Sequence, residues 1–281
     1  MRDAIEQFRD QILSAGLIPP DMIEADGKLY RFASNGKRGD DAGWYVLHGD
    51  GIPAGVFGDW RNGFSQTWRA NIGRTLTPGE EAAHRAKVEA MRREREAEEE
   101  RGHADAARKA AMILQAAQPA PDDYPYLTRK GIKAHGAKVH DGLLVLPMRD
   151  ASGKLWNVER IAPEKPSDGK DKKGLYRGRR TGCYFSIGNP KGAAAICIAE
   201  GFATGATIHE ATGYPVAVAF NAGNLGPVAK AMREKFADLP LILCADDDSR
   251  TEGNPGLTKA TEAARSVGAL LAIPFFGRVS A

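Results

Sequence analysis

Cysteine is scarce: Cys183, Cys197 and Cys244 are the only three in 281 residues. No C-x-x-C pair occurs and no histidine stands near them at metal-ligand spacing, so a zinc ribbon and a disulfide framework are excluded. Cys197 and Cys244 lie inside the apolar runs AAAICIA and LPLILCA, where a thiol in a reducing compartment packs as a small hydrophobe. Long hydrophobic stretches are also lacking. No uninterrupted apolar run approaches the roughly 18 residues of a spanning helix, and the start MRDAIEQFRD is charged where a signal peptide needs an apolar core. These absences predict a cytoplasmic protein with no membrane partner. Nor is there an excess of one charge, since 39 Lys and Arg face 36 Asp and Glu, a net charge of +3. With 42% hydrophobic and 27% charged residues, collagen-like and disordered classes drop out. The length allows one large domain or two smaller ones, each with its own core.

The near-neutral total conceals a patch. Residues 149–191 carry 11 basic and five acidic side chains, whereas residues 192–281 carry seven basic and nine acidic ones. Phosphates favour the first segment and divalent cations the second. An ordinary solvated loop is the plainer reading of such a charge run. Within KDKKGLYRGRRTGCYF, however, Lys172, Lys173, Arg177, Arg179 and Arg180 alternate with Tyr176, Tyr184 and Phe185. Cations and stacking surfaces are thereby supplied together, as a groove for single-stranded nucleic acid requires.

Along the chain, Ile5, Phe8, Ile12 and Leu13 have helical spacing, ended by Gly16 and Pro19-Pro20. From Leu29 to Trp68 short alternating runs broken by glycine predict an antiparallel β module, with Asp50-Gly51 as a hairpin turn. Its aromatics, Trp44, Tyr45, Phe57, Trp60, Phe64 and Trp68, are expected to build the module's own core before they stack on nucleic acid. Thr77-Pro78-Gly79-Glu80 reads as a capping box opening a long, exposed, charged helix to about Gln118, interrupted near Gly102. YPYLTRKGI then gives a short helix, and GLLVLPMRDASGKLWNVERIAP a hairpin turning between Asp150 and Gly153. From Ala194 onward strands AAICIA, PVAVAF, LPLILCA and ALLAIPF alternate with helices of 10 to 13 residues. That alternation predicts a parallel sheet covered on both faces, with ligands at the carboxyl ends of its strands.

Two carboxylate groups stand at such ends. Glu200-Gly201 follows the first strand, and Asp246-Asp247-Asp248 follows the third, 46 residues later. Side chains at i and i+2 share a side, so Asp246 and Asp248 can converge on Glu200 if the strands are neighbours. Carboxylates crowded at one edge repel, and a hard, oxygen-preferring cation, Mg2+ or Mn2+, relieves the repulsion. The alternative is a structural loop that caps the next helix. The metal set expected is Glu200, Asp246, Asp247 and Asp248, with no zinc.

AEGFATGATIHEATG followed by LILCADDDSRTEGNPGLTKATEAA resembles a Toprim domain, and most of all the version in DNA primases of plasmids and phages. LVLPMRDASGKLWNVERIAP, KKGLYRGRRTG and CYFSIG are similar to the segment that precedes Toprim in those primases, and GVFGDWRNGFSQTW resembles the amino-terminal region of mobile-element primases. The resemblance implies an α/β fold: a Toprim-like parallel sheet flanked by helices, preceded by a primase-type α+β subdomain and a small N-terminal β module. It divides the chain into residues 1–76 (helix plus β module), 77–120 (charged helical linker), 121–192 (primase-type subdomain with basic loop) and 193–281 (Toprim). By position Glu200 matches the glutamate that serves as general acid or base, and Asp246 and Asp248 match the metal-binding pair. The cations implied to hold template or triphosphate are Arg149, Arg160, Lys172, Lys173, Arg177, Arg179 and Arg180. The activity implied is synthesis of short RNA primers on single-stranded DNA from ribonucleoside triphosphates, with a replicative helicase as a further partner. A Toprim nuclease and a non-catalytic or truncated DNA-binding module are the competing readings. Three features depart from the family's pattern: Thr204 stands where bacterial primases often place Asp, a zinc ribbon is absent, and the sequence stops at AIPFFGRVSA, short of a further acidic motif.

Overall fold

The structure, a computed structural model, describes residues 3–274 apart from 62, 167, 168, 170, 250 and 252, without the side chains of 87, 91, 94 and 95. It divides into two compact units, residues 1–94 and 95–281.

In the first unit helix α1 (Ala4–Ser14) is followed by a four-stranded antiparallel sheet in the order β1 (Asp26–Phe32), β2 (Gly43–His48), β3 (Ala54–Asp59), β4 (Phe64–Arg69). Phe8 and Ile12 are one helical turn apart and both fully buried against Tyr45, Leu47 and Phe57. The aromatics pack edge-on, Phe8 meeting Tyr45 at 5.9 Å and Phe57 at 5.7 Å. Close packing here demands glycine: a Cβ at Gly55 would lie 2.6 Å from the Val46 carbonyl oxygen. Tyr45, Phe57, Phe64 and Trp68 thus serve the core as expected, whereas Trp44 and Trp60 pack on each other outside it.

Helix α2 (Pro78–Ala116) opens with the expected capping box, Glu80 N–H donating to Thr77 Oγ1 (3.3 Å) and Thr77 N–H to Glu80 Oε2 (2.9 Å). It runs unbroken through Gly102, which corrects the expected interruption. The glycine serves a crossing instead of a break, since a Cβ there would lie 2.6 Å from Arg177 Nε. The last turns are not a solvated linker either: Ala106 and Ala110 are buried, Ala110 with Val145 and Val158.

The second unit contains two five-stranded sheets. One is antiparallel: β5 (Gln118–Pro119), β6 (Lys138–His140), β7 (Leu143–Arg149), β8 (Leu155–Ile161) and β9 (Lys172–Gly174), with helix α3 (Pro125–Lys130) before β6. The other has the order β10, β12, β11, β13, β14, with β10 (Phe185–Ile187) antiparallel to β12 (Val216–Val218). Its remaining strands, β11 (Ile196–Ala199), β12, β13 (Leu241–Cys244) and β14 (Leu270–Ala272), are parallel, as the strand and helix alternation predicts. Helices α4 (Phe202–Thr212), α5 (Leu225–Lys235) and α6 (Pro255–Val267) provide the crossovers. Leu144, Leu146, Met148 and Ile161 of the antiparallel sheet share one core with Cys197 and Val218 of the parallel one and with Phe202 of α4. The cysteines are free and buried, in line with their apolar setting.

Candidate active site

The winding of the parallel sheet fixes where a ligand can enter. From β11 the chain crosses through α4 to β12 on one side, and from β13 it crosses through α6 to β14 on the other. The connections therefore leave the adjacent strands β11 and β13 in opposite directions, opening a crevice at their carboxyl ends. Glu200 follows β11 directly. Ala199 is paired with Cys244, so Asp246 and Asp248 leave β13 beside it. The neighbouring-strand condition set by the sequence is thus met.

The site is electrostatically tense. Glu200 Oε2 is buried and has no hydrogen-bond partner. Burial, then Asp246 and Asp248, push the Glu200 carboxyl up, against the opposing pull of Lys172 and the Ala222 amide. Burial and Asp248 raise Asp246 likewise, opposed by Lys172 and by a hydrogen bond from Thr204. Thr204 thus stands against Asp246. The loop that carries Asp248 is braced by Asn254, a left-handed residue (φ 40°) whose Oδ1 accepts from Asp248 N–H (2.9 Å). Its Nδ2 donates to Asp247 (2.8 Å), leaving Asp247 exposed and occupied. Gly256 admits this loop, because a Cβ would lie 2.6 Å from the Asp246 carbonyl and 2.9 Å from Asp248 Oδ2.

Among the described residues no group of three or more His, Cys, Asp and Glu side chains forms a ready-made metal cage. The donor chemistry nevertheless fits a hard cation that keeps most of its waters and takes one or two carboxylates, as Mg2+ does. Asp246 and Asp248 are such a pair, and the unpartnered Glu200 oxygen lies beside them.

The expected cations separate into distinct places. Pairing of Arg160 with Lys173 and of Ile161 with Lys172 splits the lysine doublet across the strand. Lys172 is on the face of Glu159 and Ile161 and acts on Glu200, Asp246 and Glu159 alike. Arg180 reaches the same face, its Nε within 3.0 Å of where a Gly174 Cβ would stand. Arg160 and Lys173 lie on the opposite face, with Val158 and helix α2. Arg177, expected to contact nucleic acid, is committed to α2 instead: its guanidinium bonds Glu98 Oε1 at 2.6 Å and the Glu98 carbonyl at 2.7 Å. Arg179 lies over the Trp156 ring at 4.7 Å, and Arg149 caps its own hairpin through the Gly153 carbonyl (2.9 Å).

Sequence reasoning missed Glu159. It is only 3% exposed, and burial pushes its carboxyl up to about 7 despite Lys172 and Arg180. Behind it Tyr126 is fully buried with an unpartnered hydroxyl, raised to about 12 by burial. Arg129, Lys130, Lys165 and Lys172 line a pocket of about 290 Å³ with Tyr126.

Residues 194–272 match the family model of the Toprim domain. Over 96% of its length the chain is 37% identical to a DNA primase TraC of Escherichia coli, and 33% identical to a second protein of that name and organism. It spans 26% and 19% of these relatives' own lengths. Among solved structures, the DnaG catalytic core is similar over 59% of this chain and 69% of that one, with 12% identity and a TM-score of 0.40.

Proposed function

We propose that this chain, a Toprim-domain relative of the DNA primase TraC, is a primase module that joins ribonucleotides on a single-stranded DNA template. The observation that carries this reading is the acidic edge at the β11/β13 crevice opposed by Lys172, in a chain whose own length aligns at 96% with a 26% portion of a TraC primase. A nuclease needs only the acidic edge, whereas polymerisation also needs cations held opposite it for triphosphate and template. Asp246 and Asp248 would hold a divalent cation, which when bound neutralises phosphate charge and aligns the reacting oxygens. Glu200, beside that pair, would take the proton of the attacking 3′-hydroxyl, a role its raised carboxyl supports. Thr204 keeps Asp246 oriented, and Lys172 and Arg180 draw the triphosphate toward the edge.

Incubation of the chain with single-stranded DNA, labelled ribonucleoside triphosphates and Mg2+ or Mn2+ is expected to give short labelled products. Degradation of labelled template without synthesis would replace the primase reading by the nuclease one. DNA binding without either activity would leave a binding module. Among the described residues no helix is long and apolar enough to cross a membrane.

The separation of the cations has its own consequence. Lys172→Ala with Arg180→Ala is expected to weaken DNA binding and to lower its salt slope by about 0.7 per lost contact on a single strand. Arg177→Ala is expected to leave that slope unchanged and to lower the melting temperature only slightly, because its ion pair with Glu98 is solvent-screened. Salt titrations of affinity with thermal melts of the three proteins decide the point.

A further inference from the structure

The β module presents a second surface whose composition the nucleotidyl-transfer site does not use. Strand alternation sends Tyr30, Phe32, Tyr45, Leu47 and Phe57 to the face covered by α1. The opposite face carries, in paired rows across the strands, Arg31 beside Trp44 and Leu29 beside Val46 and Val56. His48 and Arg69 flank Ala54 in a third row. Among the described residues Asp26, paired with His48, is the one Asp or Glu in these rows, and Lys28 Nζ holds it at 2.7 Å.

Trp60, just past β3, is the focus. It is 55% exposed, lies on the buried Trp44 with ring centroids 5.2 Å apart and planes at 30°, and has the Arg31 guanidinium 5.6 Å from its own centroid. Trp44 in turn packs over Gly58, where any side chain would collide with the indole. An indole held from below with its outer side in water is an apolar cost that the module's own core does not require. Arg31 donates to the Asp41 carbonyl, a neutral acceptor, so its charge stays available to the surface. Arg61 differs: Asp40 (2.6 Å) and Asp59 (3.5 Å) neutralise it.

We propose that the face of β1–β4 opposite α1 binds single-stranded nucleic acid, with Trp60 as a base-stacking surface and Arg31 and Arg69 as phosphate contacts. Every base has a π-face, so a fixed indole flanked by cations captures a single strand without reading its sequence. Lys28 neutralises Asp26 at the far corner, away from the Trp44 and Arg31 row, which limits the repulsion that a polyanion meets.

The test uses the whole chain and a fluorescein-labelled oligodeoxythymidylate, followed by anisotropy over a range of salt. It is performed in the Lys172→Ala, Arg180→Ala background so that the basic loop does not mask the effect. Trp60→Ala is expected to weaken binding about ten-fold or more, and Trp60→Phe to retain most of it. Arg31→Ala with Arg69→Ala is expected to lower the salt slope by about 1.4. Unchanged affinity in both variants overturns the proposal. So does a loss through the arginines alone, with Trp60→Ala neutral, because the face would then be a plain basic patch. The outcome is independent of the catalytic reading. Trp60-dependent binding together with no primer synthesis by the unaltered chain leaves this surface standing and removes the primase assignment, and primer synthesis by the unaltered chain with Trp60-independent binding does the reverse.

Discussion

Glu200→Gln is expected to reduce ribonucleotide incorporation at least about 100-fold while leaving the fold intact, since positioned acid–base groups contribute roughly 10²–10⁴ in rate. The amide matches the carboxylate in shape and can occupy the same half-buried place after β11. It cannot accept a proton at neutral pH. Stability is not expected to fall, because the native carboxylate is repelled by Asp246 and Asp248 and desolvated at Oε2. Asp246→Asn with Asp248→Asn should abolish product as well, with a second readout that does not depend on activity. A cation that binds only the folded state raises the melting temperature with its concentration. That rise should occur in the unaltered chain and vanish in the double variant. Equal Mg2+-dependent rises in both proteins would move the cation site elsewhere, and undiminished synthesis by Glu200→Gln would remove Glu200 from the chemistry.

Glu159→Gln is expected to change the pH dependence of stability by about 3–4 kcal/mol. Folded Glu159 keeps its proton up to about pH 7, whereas the unfolded chain releases it near the ordinary glutamate value of 4.5. Between those values unfolding releases a proton, so the contribution of Glu159 is fully present below about 4.5 and is lost as pH rises through about 7. Two and a half pH units at about 1.4 kcal/mol each give the stated size. Solvent screening does not erode it much, because the side chain is 3% exposed. Glutamine does not titrate and removes the loss. The melting temperature of Glu159→Gln minus that of the unaltered chain should therefore be near zero at pH 4.5, grow as pH rises to about 7, and level off. A difference that is flat across this range would place the titration outside Glu159. Above about pH 7 the same variant frees Lys172 from a buried anion, so DNA affinity should not fall with it there.

How much of this was legible beforehand depends on the range over which each feature is decided. The capping box at Thr77 and Glu80 is a local hydrogen-bond exchange, and it forms as read. The parallel strands that end in Glu200 and Asp246 follow from short apolar runs between helical segments, and the crevice follows from their order in the sheet. The unbroken helix at Gly102 was not legible, because the glycine answers to Arg177, 75 residues away, and not to its own neighbours. Glu159 sits in LWNVERI, a strand whose polar residues Asn157, Glu159 and Arg160 fall on both faces and mark neither as buried. Here both faces of that strand are covered, Val158 by α2 and Glu159 by the side on which the two sheets share a core. A polar residue on the second covered face gives no periodic signal.

The sequence by itself determined the alternation that builds the parallel sheet, the carboxylates at its strand ends, and the concentration of cations in the segment before it. These are properties of neighbours along the chain: burial pattern, turn chemistry and charge. Only the tertiary structure decided which cations oppose the acidic edge. The register of β8 against β9 sends Lys172 to one face and Lys173 to the other, and a pairing slipped by one residue would have exchanged them. Glu98, 79 residues before Arg177, takes that arginine out of the groove. Long-range pairing assigns each charge a partner, and a charge with a partner is no longer a surface for phosphate.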